Sequence, residues 1–288
     1  MGRAFEHPQQ ARVEATPEEV WAAISTGPGI DSWFMGRNEV AGGVVRTAFG
    51  GFDLPASTVT AAEPGRRFAH TSETAADGRF VAYEFLIEGR DRAGTTVRMV
   101  TSGFLPGDDW EGEYEAMADG LAMFFATLVE YLTHFAGRTA TPLTEFGPPV
   151  RDWPRAWETL YAALEHPEDS VRLAPGSEDR VGLTLASVAP ASEGQVRLAP
   201  GPGAGLRLTP GGLAPEPGDK VRLAPDGLDP VEGVVYFVNA QTLGVRSGDG
   251  LYRFLQGMGG SMVAAHHLFA VPPDQGPAWR AWLERLRS

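Results

Sequence analysis

Between Asp108 and Ala136, apolar and aromatic residues return at Trp110, Tyr114, Met117, Leu121, Phe124, Phe125, Leu128, Leu132 and Phe135. Steps of three and four put them on one stripe of a single helix. At about 1.5 Å per residue such a helix runs roughly 40 Å, enough to cross a small sheet. Asp108 or Asp109 is placed to cap its start, Glu111, Glu113 and Glu115 lie where the helix dipole favours carboxylates, and Gly137 stops it. Ahead of this helix the period is two. Residues 3–14, 44–49, 56–62, 66–73, 79–89 and 95–104 read as strands. Val81, Tyr83, Phe85 and Ile87 share one face, with Ala82, Glu84 and Glu88 on the other; Val97, Met99 and Thr101 share a face of the next strand. Residues 89–94 join these two strands as a hairpin. Thr16-Pro17-Glu18-Glu19 signals a short helix through Ile24, Gly27-Pro28-Gly29 breaks it, and a second short helical piece carries Ile30, Trp33 and Phe34. The order predicts an α+β fold with the long helix laid over an antiparallel sheet.

Beyond Gly137 the pattern changes. Residues 138–150, rich in threonine and proline, read as a linker. Residues 153–165 form a helix with Trp157, Leu160, Tyr161 and Leu164 on one side, and a last helix over 277–286 carries Trp279, Trp282, Leu283 and Leu286. Between them VRLAP occurs at 171, 196 and 221, a repeat of period 25, and the stretch after the third copy alternates as a sheet or small barrel. The expected organisation is a first domain over 1–137, a linker, and a β-rich domain over 151–288. The first is expected to fold and bind alone, with Trp157, Tyr161, Trp279 and Trp282 as the seam that docks the second.

Composition narrows the function. With 288 residues and 43% hydrophobic content, two cores are affordable. No unbroken apolar run approaches the ~20 residues of a membrane span, and the first ten residues lack a signal-peptide core; a soluble cytoplasmic protein is expected. There is no cysteine, hence no disulfide or thiolate chemistry. A formal charge of -13 argues against nucleic acid and anionic membranes as partners. Lys220 is the single lysine. His266 and His267 are adjacent, so on a strand they face opposite ways and make a poor metal pair; one buried and one exposed is expected. Asp226 and Asp249 are turn residues beside glycines. Phosphate-loop and Gly-x-Ser-x-Gly signatures are missing from the sequence, and no nucleophile, base and orienter assemble, so neither metal, cofactor nor catalysis is expected.

Five segments, ATPEEVWAAIST, GIDSWF, PGRRFAHT, a hairpin ending TSGF, and GLAMFFATLVEYL, resemble in order and spacing the homologues of the heat-shock protein 90 ATPase activator within the SRPBCC (START/Bet v 1-like) superfamily. The resemblance covers residues 3–137. It implies a helix-grip fold, in which the sheet curls around the long helix and leaves a hydrophobic cavity. Trp33, Phe34, Phe68, Tyr83, Phe85, Met99, Tyr114, Met117, Leu121 and Phe124 would then line the cavity, with His70 and Thr101 as polar handles. Two positions depart from the family pattern: Leu121 follows Gly120 where tryptophan is common, and Thr101 stands where histidine is common. The resemblance implies binding of a lipid or polyketide-like molecule. Its alternatives are a chaperone partner, as the family name suggests, or a cavity enzyme of cyclase or hydrolase type using His70, Thr101, Tyr83 and Tyr114.

Overall fold

The computed structural model describes residues 2–89, 94–165, 208–209, 212–257, 259–270 and 274–286. Two VRLAP copies, at 171 and 196, and the turn at 90–93 lie outside the described residues.

The first half builds one large antiparallel sheet. β1 (Arg3–Val13) leads into α1 (Pro17–Ser25), α2 (Gly27–Ile30), β2 (Arg37–Ala41), β3 (Val44–Phe49), β4 (Phe52–Asp53), β5 (Ser57–Glu63), β6 (Arg67–Ser72), β7 (Phe80–Glu88) and β8 (Thr95–Leu105). The strand order is β1-β8-β7-β6-β5-β3-β2, with β4 on β3. Thr16 starts α1 through a capping box: its hydroxyl accepts from the Glu19 amide at 3.1 Å while the Glu19 carboxylate accepts from the Thr16 amide at 2.8 Å. Thr26 caps α2 by accepting from the Gly29 amide. In the β7–β8 ladder Tyr83 lies opposite Thr101, Phe85 opposite Met99 and Ile87 opposite Val97, so the two apolar faces read from alternation coincide. Phe85, Ile87, Val97 and Met99 pack in one core with α3 (Trp110–His134).

β2 escaped the sequence pattern. Its five residues contain only Val40 and Ala41 as apolar members, and Asn38 is buried there for its hydrogen bonds rather than its hydrophobicity. The start of α3 also differs from expectation. Asp109 is its N-cap residue but its side chain makes no capping hydrogen bond.

Residues 138–150 are not a linker. They carry β9 (Thr141–Pro149), which pairs with β16 (Ser261–Leu268) along its length. Prolines at both ends of β9 suit an edge strand, where a missing N–H is tolerated. α4 (Trp153–Ala162), the two-residue strands β10 (Leu208–Thr209) and β11 (Gly212–Leu213), β12 (Lys220–Leu223), β13 (Val231–Asn239), β14 (Thr242–Arg246), β15 (Gly250–Gln256) and β16 follow, and α5 (Gly276–Arg285) closes the chain. The third VRLAP copy supplies β12. The second sheet runs β12-β13-β14-β15-β16-β9, all antiparallel.

α3 lies between the two sheets. Leu251 and Phe269, with Tyr236, Phe237 and Leu255 at the margin, belong to the same core as Leu121, Phe125 and Leu132. This explains why α3 buries Met123, Ala126, Thr127 and Tyr131 as well as Leu121, Phe124, Phe125, Leu128 and Leu132 of its expected stripe, while Trp110, Tyr114 and Met117 stay half-buried: it has two apolar sides to cover, not one. By length and a mean hydropathy of 1.2, α3 passes for a membrane span, against the expectation drawn from unbroken apolar runs; in this fold it is a core helix. The far face of the second sheet carries a separate core, where Val235, Val245, Tyr252 and Phe254 meet Trp157 and Leu160 of α4 and Trp279 and Trp282 of α5. Those aromatics therefore cover the outer side of the second sheet instead of forming the seam between halves. Both faces of β16 are covered, so His266 and His267 are each 1% exposed, whereas one had been expected in solvent.

Candidate functional site

A cavity of about 490 Å³ opens beside the turn that follows α2. Trp33, Phe34 and Met35 after α2, Val81, Tyr83 and Phe85 of β7, and His70 of β6 line it. Val45, Thr47 and Leu54 complete the apolar side, and Glu73 and Arg79 stand at the rim. The aromatic rings are mutually braced. Trp33 meets Phe85 edge-on at 5.9 Å, Phe34 meets Tyr83 at 6.1 Å, and His70 stacks on Tyr83 at 5.2 Å, separations at which ring pairs attract.

The turn that presents Trp33 and Phe34 is held by buried polar groups. The Asp31 carboxylate accepts from the Asn38 amide at 2.5 Å and from its side-chain nitrogen at 3.1 Å, and the Asn38 side-chain oxygen accepts from the Thr47 hydroxyl at 2.7 Å. Burial pushes the Asp31 carboxyl upward, and the Asn38 hydrogen bonds pull it back. Trp33 donates its indole N–H to the Ala23 carbonyl at 2.9 Å, tying the wall to α1.

Five of the twelve residues expected at the site line this cavity: Trp33, Phe34, His70, Tyr83 and Phe85. The others take different places. Phe68 packs edge-on to Trp21, Met99 is fully buried in the core, and Thr101 is buried opposite Tyr83 with its hydroxyl lacking a partner. Tyr114 meets Phe5 and the His7 imidazole at 3.3 Å; Met117 and Leu121 belong to the core. Phe124 is screened from the cavity by Phe34, its ring centroid 4.5 Å away. The wall that the sequence assigned to the long helix is thus supplied by the α2 turn. Met35, Asn38, Thr47, Leu54 and Arg79 were missed: Met35 and Leu54 sit in loops, and Asn38, Thr47 and Arg79 are polar, so the hydrophobic pattern does not single them out.

No protein-family model matches the sequence, and no curated protein does. Solved structures are similar to the first half. The Aha1 dimer from Colwellia psychrerythraea matches at 20% identity over 44% of this chain and 96% of its own, with a TM-score of 0.37. A Mesorhizobium loti protein matches at 24% identity over 45% of this chain and 96% of its own, TM-score 0.37, and a Staphylococcus aureus protein of unknown function at 15% over 46% and 94%, TM-score 0.39. At these scores the likeness carries no function across. The topology itself shows an α+β first half, a large antiparallel sheet with the long helix α3 against it, followed by a sheet-rich second half.

The interior of the cavity is electrically neutral. Burial pushes His70 down to about 4 and Tyr83 up to about 12, so both are uncharged at neutral pH. His70 Nδ1 is buried and has no hydrogen-bond partner among the described residues. No carboxylate or hydroxyl orients this imidazole as a catalytic base would need, and no cluster of three metal-ligating side chains occurs among the described residues. Among the residues that line the cavity the charged ones are Glu73 and Arg79, and Arg79 pairs with Asp77 and with Glu113 of α3.

Proposed function

We propose that the protein binds a neutral hydrophobic small molecule in the cavity walled by Trp33, Phe34, Tyr83 and Phe85. The observation that carries this reading is the cavity itself. Its volume of about 490 Å³ lies inside the ~300–1,000 Å³ typical of ligand sites, and an aromatic lining with a few placed polar atoms is their usual make-up. Neutrality argues for the ligand class. A carboxylate or phosphate brought against Tyr83 and His70 meets no cation in the interior, and desolvating it there is costly.

Titration with Nile red, an uncharged apolar dye, tests this, with displacement by neutral and by acidic lipid extracts. The expected result is saturable one-site binding, competed by neutral extracts far better than by fatty acids. Val45→Trp, which fills the cavity from β3, is expected to abolish dye binding in a protein that still unfolds cooperatively. Dye binding that survives Val45→Trp unchanged would place it elsewhere and overturn the reading.

A further inference from the structure

Arg253 of β15 is 1% exposed and has no carboxylate partner among the described residues. On β15, Tyr252 and Phe254 point to the outer helices, and Arg253, between them, points inward to α3 and the first half. Its guanidinium spends its donors on backbone carbonyls. Nη1 donates to the Trp33 oxygen at 3.1 Å, Nη2 to the Phe34 oxygen at 2.8 Å and Nε to the Ala265 oxygen at 3.0 Å, while the cation lies 5.7 Å from the centre of the Phe124 ring. One strand away, His267 Nδ1 is 2.7 Å from the Asp31 oxygen. Two side chains of the second sheet therefore hold the carbonyls of residues 31, 33 and 34, the turn whose aromatic side chains wall the cavity.

Burying an unpaired guanidinium costs several kcal/mol, and simple packing at this place would be better served by an apolar side chain. The fixed fork of an arginine is the one side chain that can reach two successive carbonyls while the third donor stays on its own sheet. We infer that Arg253 is a positioning residue for the ligand cavity: the second half of the chain sets the Trp33–Phe34 wall through it. This rests on the reading of the cavity as the ligand site. It gives the second half a part in binding without its contributing a lining residue to this cavity.

The two roles that Arg253 can have, packing or positioning, separate in Arg253→Met. Methionine fills much of the volume and removes the buried charge, so the unfolding midpoint is expected to stay near that of the parent or to rise. The carbonyls of Trp33 and Phe34 lose their donors, so amide exchange over residues 31–38 is expected to accelerate at least about tenfold and Nile red to bind about tenfold more weakly, with Arg253→Lys between the two. Tyr236→Phe, which removes the hydroxyl that meets Thr127 at 3.0 Å in the same interface, is expected to leave dye affinity unchanged. Parental exchange over 31–38 and parental affinity in Arg253→Met would overturn the inference. Should that variant fail to fold, Arg253→Lys is read by the same criteria. Should the parent not bind the dye at all, the cavity reading fails by itself, while exchange over 31–38 still decides whether Arg253 holds the turn.

Discussion

Three buried imidazoles give the protein an acid limit. Unfolded, each takes a proton near pH 6.5; folded, His70 does so only near 4 and His266 near 3, because burial disfavours the charged ring, and Arg253 adds repulsion at His266. His267 is held well below its ordinary value by the same two causes. Between those values and 6.5 the unfolded chain binds the extra protons, so stability falls as the pH drops through 6.5 toward 4 and is unaffected by these groups above it. At about 1.4 kcal/mol per tenfold change in proton affinity, His70 alone removes about 3 kcal/mol by pH 4. Urea midpoints at pH 7, 5.5 and 4.5 should decline in that order, less steeply in His70→Phe; a flat series would contradict the burial argument. Asn38 is the second sensitive residue. Asn38→Ala strips the buried Asp31 carboxylate of one donor and frees the Thr47 hydroxyl, and should cost about 2 kcal/mol, measured by the same denaturation.

Elements whose period the sequence showed clearly were placed well. β3, β5, β6, β7, β8 and α3 stand within one or two residues of the expected ranges, since a long alternation or a 3.6-residue stripe leaves little choice of register. Where burial is driven by polar groups the pattern was silent. β2 is anchored by Asn38, and the cavity wall is held by Arg253 and His267 from more than two hundred residues away in sequence, a contact no local period records. β9 was hidden for a different reason: its prolines and threonines have the composition of a linker, and only pairing with β16 makes it a strand. At this scale Gly36 is the test. Its φ of +63° and its approach to the Ala48 carbonyl fix the bend that leads into β2, so Gly36→Ala should destabilise by more than about 1 kcal/mol. Because β2 carries Asn38 of the cavity wall, the same change should weaken Nile red binding. A variant as stable and as tight as the parent would show that this bend does not brace the site.

In the whole molecule the two halves share α3. The expectation that residues 1–137 stand alone meets a difficulty in the fold, because removing the second sheet uncovers Thr127, Tyr131 and Phe135 and takes away Leu251 and Phe269, the latter stacked on Phe135 at 4.1 Å. At roughly 1.5–3 kcal/mol for each large apolar side chain returned to water, a fragment ending at Gly137 should self-associate and lose its cooperative transition, as size-exclusion chromatography and thermal unfolding can report. A monomeric fragment that melts sharply would show that α3 needs only one sheet. The pairing of β9 with β16 has a further consequence, in time. β9 leaves the ribosome directly after α3, yet its neighbour β16 begins only at Ser261. The outward side of α3 therefore waits bare through the making of most of the second half, on the order of 10 s at ordinary rates of synthesis. Within the second sheet only the β9–β16 pairing joins strands far apart in sequence, so in pulse-labelled refolding the amides of β9 should be the last to gain protection.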